Sequence, residues 1–310
     1  MENEMNMQAM PDPETLSRSN VQNIAPLQEV FCSLKGKTAL VTGGASGLGY
    51  TVVNRLAEAG ANVVIASRNQ ERGERAVAEF RERGYAVSWV RTDVTKVSDC
   101  ANAVDFAVKN YGGLDILVAD AAVWDNYSYL DVPENVFDKV VDTDLKGAYF
   151  IGQAAARHMV ANKVKGKIVF VSSAAHLGEG PSGIVMNTFY QAAKAGVVGM
   201  TRGIACELKQ YGISVNCVAP GGMLSSGVFS QGTKAFELYG AEYAESSQHT
   251  SGTPLAMNPD MVALAVYAMC TPMSDFMCGE TVNVNGGALM NFQKKPFSYT
   301  VEGCIPGPQK

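Results

Sequence analysis

No apolar run in the 310-residue chain reaches the roughly 18–20 residues that a membrane-spanning helix requires, so no membrane partner is expected. The opening stretch, MENEMNMQAMPDPETLSRSN, has neither a basic segment nor an apolar core, and does not read as a secretory signal. Histidine is scarce, with three residues, and none is paired with Cys or His at ligand spacing. No metal is expected, and His176 reads as a solvated loop residue. The net charge is −5 and no Lys/Arg-rich run stands out, so a nucleic-acid partner is not expected either. The seven cysteines (32, 100, 206, 217, 270, 278 and 304) are odd in number, scattered, and never form Cys-x-x-Cys. That usage suits reduced thiols in a cytoplasmic setting.

What is present is a regular alternation. After residues 1–33, which read as an N-terminal extension, short β-branched runs alternate with helical stretches. The predicted strands are TALVT (38–42), NVVIA (62–66), VSWV (87–90), DILV (115–118), KIVFV (167–171), ISVNC (213–217) and TVNV (281–284). Helical patterns fall at about 48–59, 70–83, 98–110, 134–162, 190–210 and 259–270. Nearly continuous apolar strands belong in a parallel sheet covered on both faces. The expectation is one α/β domain over 34–290, a doubly wound sheet of about seven strands of Rossmann type, with a C-terminal tail at 291–310.

The stretch LVTGGASGLGY (40–50) joins the first strand to the first helix. Its Gly43, Gly47 and Gly49 would allow a tight turn and close approach of a pyrophosphate to free N–H groups at the helix start, with Ser46 and Leu48 in the same turn. The second strand ends in Ser67, Arg68 and Asn69, without the carboxylate that an NAD ribose usually meets. A guanidinium flanked by a hydroxyl and an amide suits a 2′-phosphate, which favours NADP(H) over NAD(H). Further on, FYQAAKAG (189–196) sets Tyr190 four residues before Lys194, on one helical face.

With TGGASGLG, TDV (Asp93), LDILV, VSS, YQAAK and NCVAPGG in this order, the sequence resembles the short-chain dehydrogenase/reductase family from about residue 34 to 289, with hydroxysteroid dehydrogenases among its members. The resemblance implies that Asp93 and Val94 lie against adenine, that Ser173 holds the substrate oxygen, and that Tyr190 exchanges the proton. It places Lys194 on the nicotinamide ribose, Ala119 beside the cofactor, and Pro220, Gly221, Met223 and Ser225 along the nicotinamide and its phosphate. The chemistry is coherent: a phenol titrating near 10 is a poor base at neutrality, and a nearby ammonium should lower that value.

Three departures from the family pattern stand out. Ala119, Asp120 and Ala122 replace two amides and a glycine in LVADAAV. Asp144 occupies the place of the fourth catalytic residue, usually Asn; a role through its main-chain carbonyl would survive, but the carboxylate brings a new charge near Lys194. Ser173 precedes Tyr190 by seventeen residues, a longer loop than is usual, with Ser172 the weaker candidate.

Aromatic and Met residues crowd the segments expected above the strand ends: Trp124, Tyr127 and Tyr129, then Met223, Phe229, Phe236 and Tyr239. These lean towards a bulky apolar alcohol or ketone of hydroxysteroid or bile-acid type, with a polyol or ketose as the alternative. A cofactor-binding sensor without turnover is the competing reading. The resemblance also implies a homodimer or homotetramer.

Overall fold

A computed structural model describes residues 32–178, 187–223 and 257–286. Its spine is a seven-stranded sheet made of β1 (Thr38–Thr42), β2 (Asn62–Ser67), β3 (Val87–Arg91), β4 (Ile116–Ala119), β5 (Lys167–Val171), β6 (Ser214–Pro220) and β7 (Thr281–Val284). All pairings are parallel, in the order β3-β2-β1-β4-β5-β6-β7. The chain walks outward from β1 to β3, then returns across β1 to place β4. That reversal opens a crevice at the carboxyl ends of β1 and β4, where open α/β sheets bind ligands.

Alternation along each strand feeds two cores. Ala39 and Val41 of β1 face one side, with Val63 and Ile65 of β2. There they pack against α1 (Gly47–Glu58), α2 (Gln70–Glu82) and α7 (Pro259–Met269). Leu40 and Val64 face the other side, against α3 (Val97–Tyr111), α5 (Ala148–Ala161) and α6 (Thr188–Leu208). Strands buried on both faces are what a near-continuous apolar sequence encodes.

β2 and β3 each run one residue past the expected end, to Ser67 and Arg91, and three larger differences bear on the site. Asp115 is not a strand residue: its carboxylate accepts from the Thr38 amide (3.0 Å) and from Lys37 (2.8 Å), tying β4's start to β1. β6 runs on to Pro220, because β7 pairs with it as far as Pro220↔Val284. The helix expected over 134–162 is broken into α4 (Glu134–Val140), a π-helical stretch Val141–Gly147, and α5. A widened turn of this kind re-aims the side chains it carries, and Asp144 is one of them.

Candidate active site

The turn after β1 is shaped by its glycines. Gly43 (φ +74°) and Gly47 (φ +55°) take left-handed backbone that other residues resist. Gly49 is required for space: a Cβ there would stand 2.5 Å from the Gly43 carbonyl oxygen and 2.8 Å from Asp120 Oδ2. Beside Gly47 an added Cβ would meet nothing within 4 Å, so the turn keeps open room at the helix start. Ser46 is the extended N-cap of α1 (φ −162°), and its side chain makes no capping hydrogen bond. Leu48 is buried behind the turn.

At the end of β2, Ser67 Oγ accepts the indole N–H of Trp89 (2.9 Å). Arg68 is exposed, and Asn69 caps α2 by accepting from the Arg72 amide (2.9 Å). The Asn69 amide nitrogen keeps its donors, while the carbonyl oxygen is committed. Burial would raise the Asp93 carboxyl, but hydrogen bonds from Thr95 and the charges of Arg68 and Lys96 hold it below the usual range. Val94 is buried against the backbone of Gly147 in the π-helical stretch.

The altered segment after β4 is held by a residue that sequence reasoning overlooked. Thr42, the last residue of β1, accepts through Oγ1 from both the Asp120 and Ala121 amides, each at 3.0 Å. The loss of side-chain amides at 119–122 therefore leaves the main chain anchored, with Ala119 closing β4. Only the position of Thr42, at the end of an otherwise apolar strand, hinted at this. Ser172 also has a building role: its hydroxyl donates to the Lys194 carbonyl (2.8 Å) and fixes α6 to β5.

Four residues converge beyond β5. Ser173 begins a 3₁₀ turn and hydrogen-bonds the Tyr190 hydroxyl. Lys194 Nζ stands 5.6 Å from the Tyr190 ring centroid, donates to the Val171 carbonyl (3.1 Å), and pairs with Asp144 Oδ2 (3.2 Å). Asp144 Oδ1 accepts from the Val123 amide (2.8 Å), so the carboxylate, and not only its main chain, is used. Asp120 accepts from the Gly49 amide and brings a second negative charge towards Lys194. Trp124 lies against Tyr190, with ring centroids 6.4 Å apart.

The electrostatics run against the sequence expectation of an acidified phenol. Burial is the largest influence on Tyr190 and raises it above its ordinary value. Lys194 and the Ser173 hydrogen bond oppose that rise, while Asp144 and Asp120 reinforce it. Burial raises Asp144 as well, despite Lys194 and the Val123 amide, and pushes Asp120 up to about 7. Burial alone would lower Lys194, but the surrounding negative charge holds it above its usual value. Burial comes first for the phenol and both acids, and the two acids around a single ammonium account for the rise of Lys194.

Pro220 ends β6, Gly221 donates to the Val284 carbonyl (2.9 Å), and Met223 bridges to Met257. Ser225 lies outside the described residues, as do most of the aromatic and Met residues between 224 and 256. His176 is partly buried and its Nε2 lies 3.1 Å from Asn283 Oδ1. Among the described residues, no group of three or more His, Cys, Asp or Glu could hold a metal, and no helix is long and apolar enough to cross a membrane.

Comparison with known proteins identifies the family. The short chain dehydrogenase family model matches residues 37–234. A bovine (Bos taurus) dehydrogenase/reductase SDR family member 4 is 36% identical over 257 residues, spanning 83% of this chain and 88% of the relative. Among solved structures, gox2181 is similar at 33% identity and TM-score 0.74, covering 83% of this chain and 97% of that one. Actinorhodin polyketide ketoreductase with NADPH is similar at 28% identity and TM-score 0.74, covering 81% and 97%. The chain belongs to the short-chain dehydrogenase/reductase family, and is an oxidoreductase by that membership.

Proposed function

We propose that the protein interconverts a secondary alcohol and a ketone by hydride transfer, with NADP(H) as the favoured cofactor, NAD(H) as the alternative, and Tyr190 as the acid or base. The arrangement of Ser173, Tyr190, Lys194 and Asp144 around one space carries the reading. The glycine turn fits a dinucleotide: its Gly43 and Gly49 amides are taken by the Ala66 carbonyl and Asp120, and the amides between them stand at a helix start with open room beside Gly47. Bound there, the nicotinamide supplies or accepts the hydride. Amides between Gly43 and Gly49 would hold the pyrophosphate, and Ser67, Arg68 and Asn69 would face the 2′-phosphate. Asp93 and Val94 would bound the adenine side; Ala119, Pro220, Gly221, Met223 and Ser225 would bound the nicotinamide side.

The chain's own residues handle the proton. Ser173 donates to the substrate oxygen as charge develops, and Tyr190 gives or takes the hydroxyl proton. Lys194, kept charged by Asp144, stabilises the Tyr190 phenolate that takes the hydroxyl proton in alcohol oxidation and is left behind in ketone reduction.

Trp124 beside Tyr190, with Phe189 buried next to it, supports a bulky apolar substrate of hydroxysteroid or bile-acid type over a polyol or ketose. Residues 34–290 would form the catalytic unit, working in the cytoplasm as a homodimer or homotetramer. The test is NADP⁺ reduction by a panel of steroid, bile-acid and sugar alcohols, with Tyr190→Phe as control. Turnover by the apolar alcohols that vanishes in the variant supports the reading. The two carboxylates and the raised phenol favour one other reading, a sensor that binds NADPH without turnover. Tight binding with no activity across the panel would establish it.

A further inference from the structure

Lys194 has one close acid in Asp144, yet a second carboxylate, Asp120, approaches from the opposite element. Asp144 lies on the π-helical stretch, Asp120 follows β4, and Lys194 and Tyr190 project from α6. Cys217 of β6 also feels the Lys194 charge, and Ser173 borders the phenol. Asp144 and Lys194 are 1% and 2% exposed, so water screens little of the charge between them, while Asp120 is partly buried and open to proton exchange with solvent. Asp144 Oδ2, fully enclosed, accepts no well-aligned hydrogen bond and meets Lys194 only as a charge at 3.2 Å.

Two carboxylates and one ammonium do not cancel. If both acids are ionised, the surplus negative charge opposes a phenolate at Tyr190; a proton on one acid removes it. Asp144 is the poorer host, because its two oxygens already face the Val123 amide and the Lys194 ammonium. Asp120 has the Gly49 amide as its near partner, in the turn where an anionic pyrophosphate would arrive.

We propose that Asp120 holds an exchangeable proton and, through it, couples charge at the glycine turn to the Tyr190–Lys194 pair. Asp120 is a positioning residue here: it touches neither the substrate nor the reacting carbon. An anion arriving beside Gly49 repels its carboxylate, so a proton from solvent adds to a carboxylate oxygen, and no other bond changes. With Asp120 neutral, Lys194 is balanced by Asp144 alone and the phenol loses a proton more readily. The partial burial of Asp120 against Gly49, which raises its carboxyl to about 7, is consistent with this role. The coupling rests on the proposed cofactor site.

The test uses the full chain in two measurements. Isotope-edited infrared spectra of the cofactor-free protein, titrated across neutrality, should show a protonated carboxylic carbonyl that disappears as pH rises. The band should be missing in Asp120→Asn and retained in Asp144→Asn. Calorimetry of NADPH binding in buffers of different ionisation heat should then show proton uptake by the unaltered chain, falling at least about threefold in Asp120→Asn. A band that survives in Asp120→Asn, or uptake that does not change, overturns the proposal. Should Asp120→Asn fail to fold, Asp120→Ser replaces it; absence of any protonated carboxyl near neutrality in the unaltered chain overturns the proposal without a variant. A failed cofactor reading looks different: NADPH does not bind, while the infrared band is present.

Discussion

Lys194 Nζ and Asp144 Oδ2 lie 3.2 Å apart with both side chains sealed from solvent. Removing one partner of such a pair strands the other charge, which is the costly outcome for a buried ion pair. Asp144→Asn keeps an oxygen for the Val123 amide but removes the negative charge. Lys194, held up by that charge, should titrate lower, and Tyr190 should too, since Asp144 raises it. In alcohol oxidation the rate rises with pH as the phenol ionises. The limb should therefore move to lower pH in the variant, as a pH profile of kcat would show.

Tyr190→Phe retains the ring packed against Trp124 and loses the hydroxyl. Turnover should fall by about 10²–10⁴-fold or more, the range for loss of a positioned acid–base group. NADPH affinity, followed by fluorescence, should stay within a few-fold. Near-normal activity would refute the assignment.

Arg68 is exposed at the end of β2 and its charge reaches Asp93. Arg68→Ala should raise KM for NADPH far more than KM for NADH. Parallel changes in the two constants would remove the case for a 2′-phosphate site.

Gly49→Ala should be disruptive in a way that Gly47→Ala is not. At 49 the methyl would meet backbone at 2.5 Å, whereas at 47 the space is open and only the φ of +55° resists. We expect a loss of about 2–4 kcal/mol for Gly49→Ala and about 1 kcal/mol for Gly47→Ala, measured by urea unfolding.

Asp120 makes stability depend on pH. Its folded-state pKa is raised from 3.8 to about 7, so between these values the folded chain binds a proton that the unfolded chain releases. Stability should fall as pH rises through that window and level off above about 7. Asp120→Asn should flatten the slope and gain about 1–3 kcal/mol at alkaline pH, since each pKa unit corresponds to about 1.4 kcal/mol. Unfolding curves across the window would check the sign.

The sheet was legible because doubly buried strands leave a simple record: β1, β5 and β7 fall at the expected residues. The break in the 134–162 helix was not, since a π-helical stretch shares the composition of its flanks and differs only in which carbonyl each amide finds. Tyr190 and Lys194 could be paired from spacing alone. The family resemblance also set the Asp144 charge near Lys194, but burial and the share of Asp120 could not be read, because Asp120 lies far from Lys194 in sequence and meets it only after β4 and α6 pack together. A one-helix view gives the phenol a cationic neighbour and lowers its pKa; the assembled site adds burial and two anions, and the sign reverses. Thr42 was silent for a similar reason, as its acceptor role depends on amides 78 and 79 residues away.

Trp89 fills the place where a Cβ on residue 73 would sit 2.2 Å from the indole nitrogen, so Gly73 is the gap that admits the ring. Its N–H occupies a lone pair of Ser67 Oγ. The hydroxyl hydrogen of Ser67 is thereby turned away from the indole and left to seek an acceptor. Polarity at this rim is thus set from beneath: the ring takes one lone pair of the Ser67 oxygen, leaves the other, and turns the hydroxyl hydrogen away from itself.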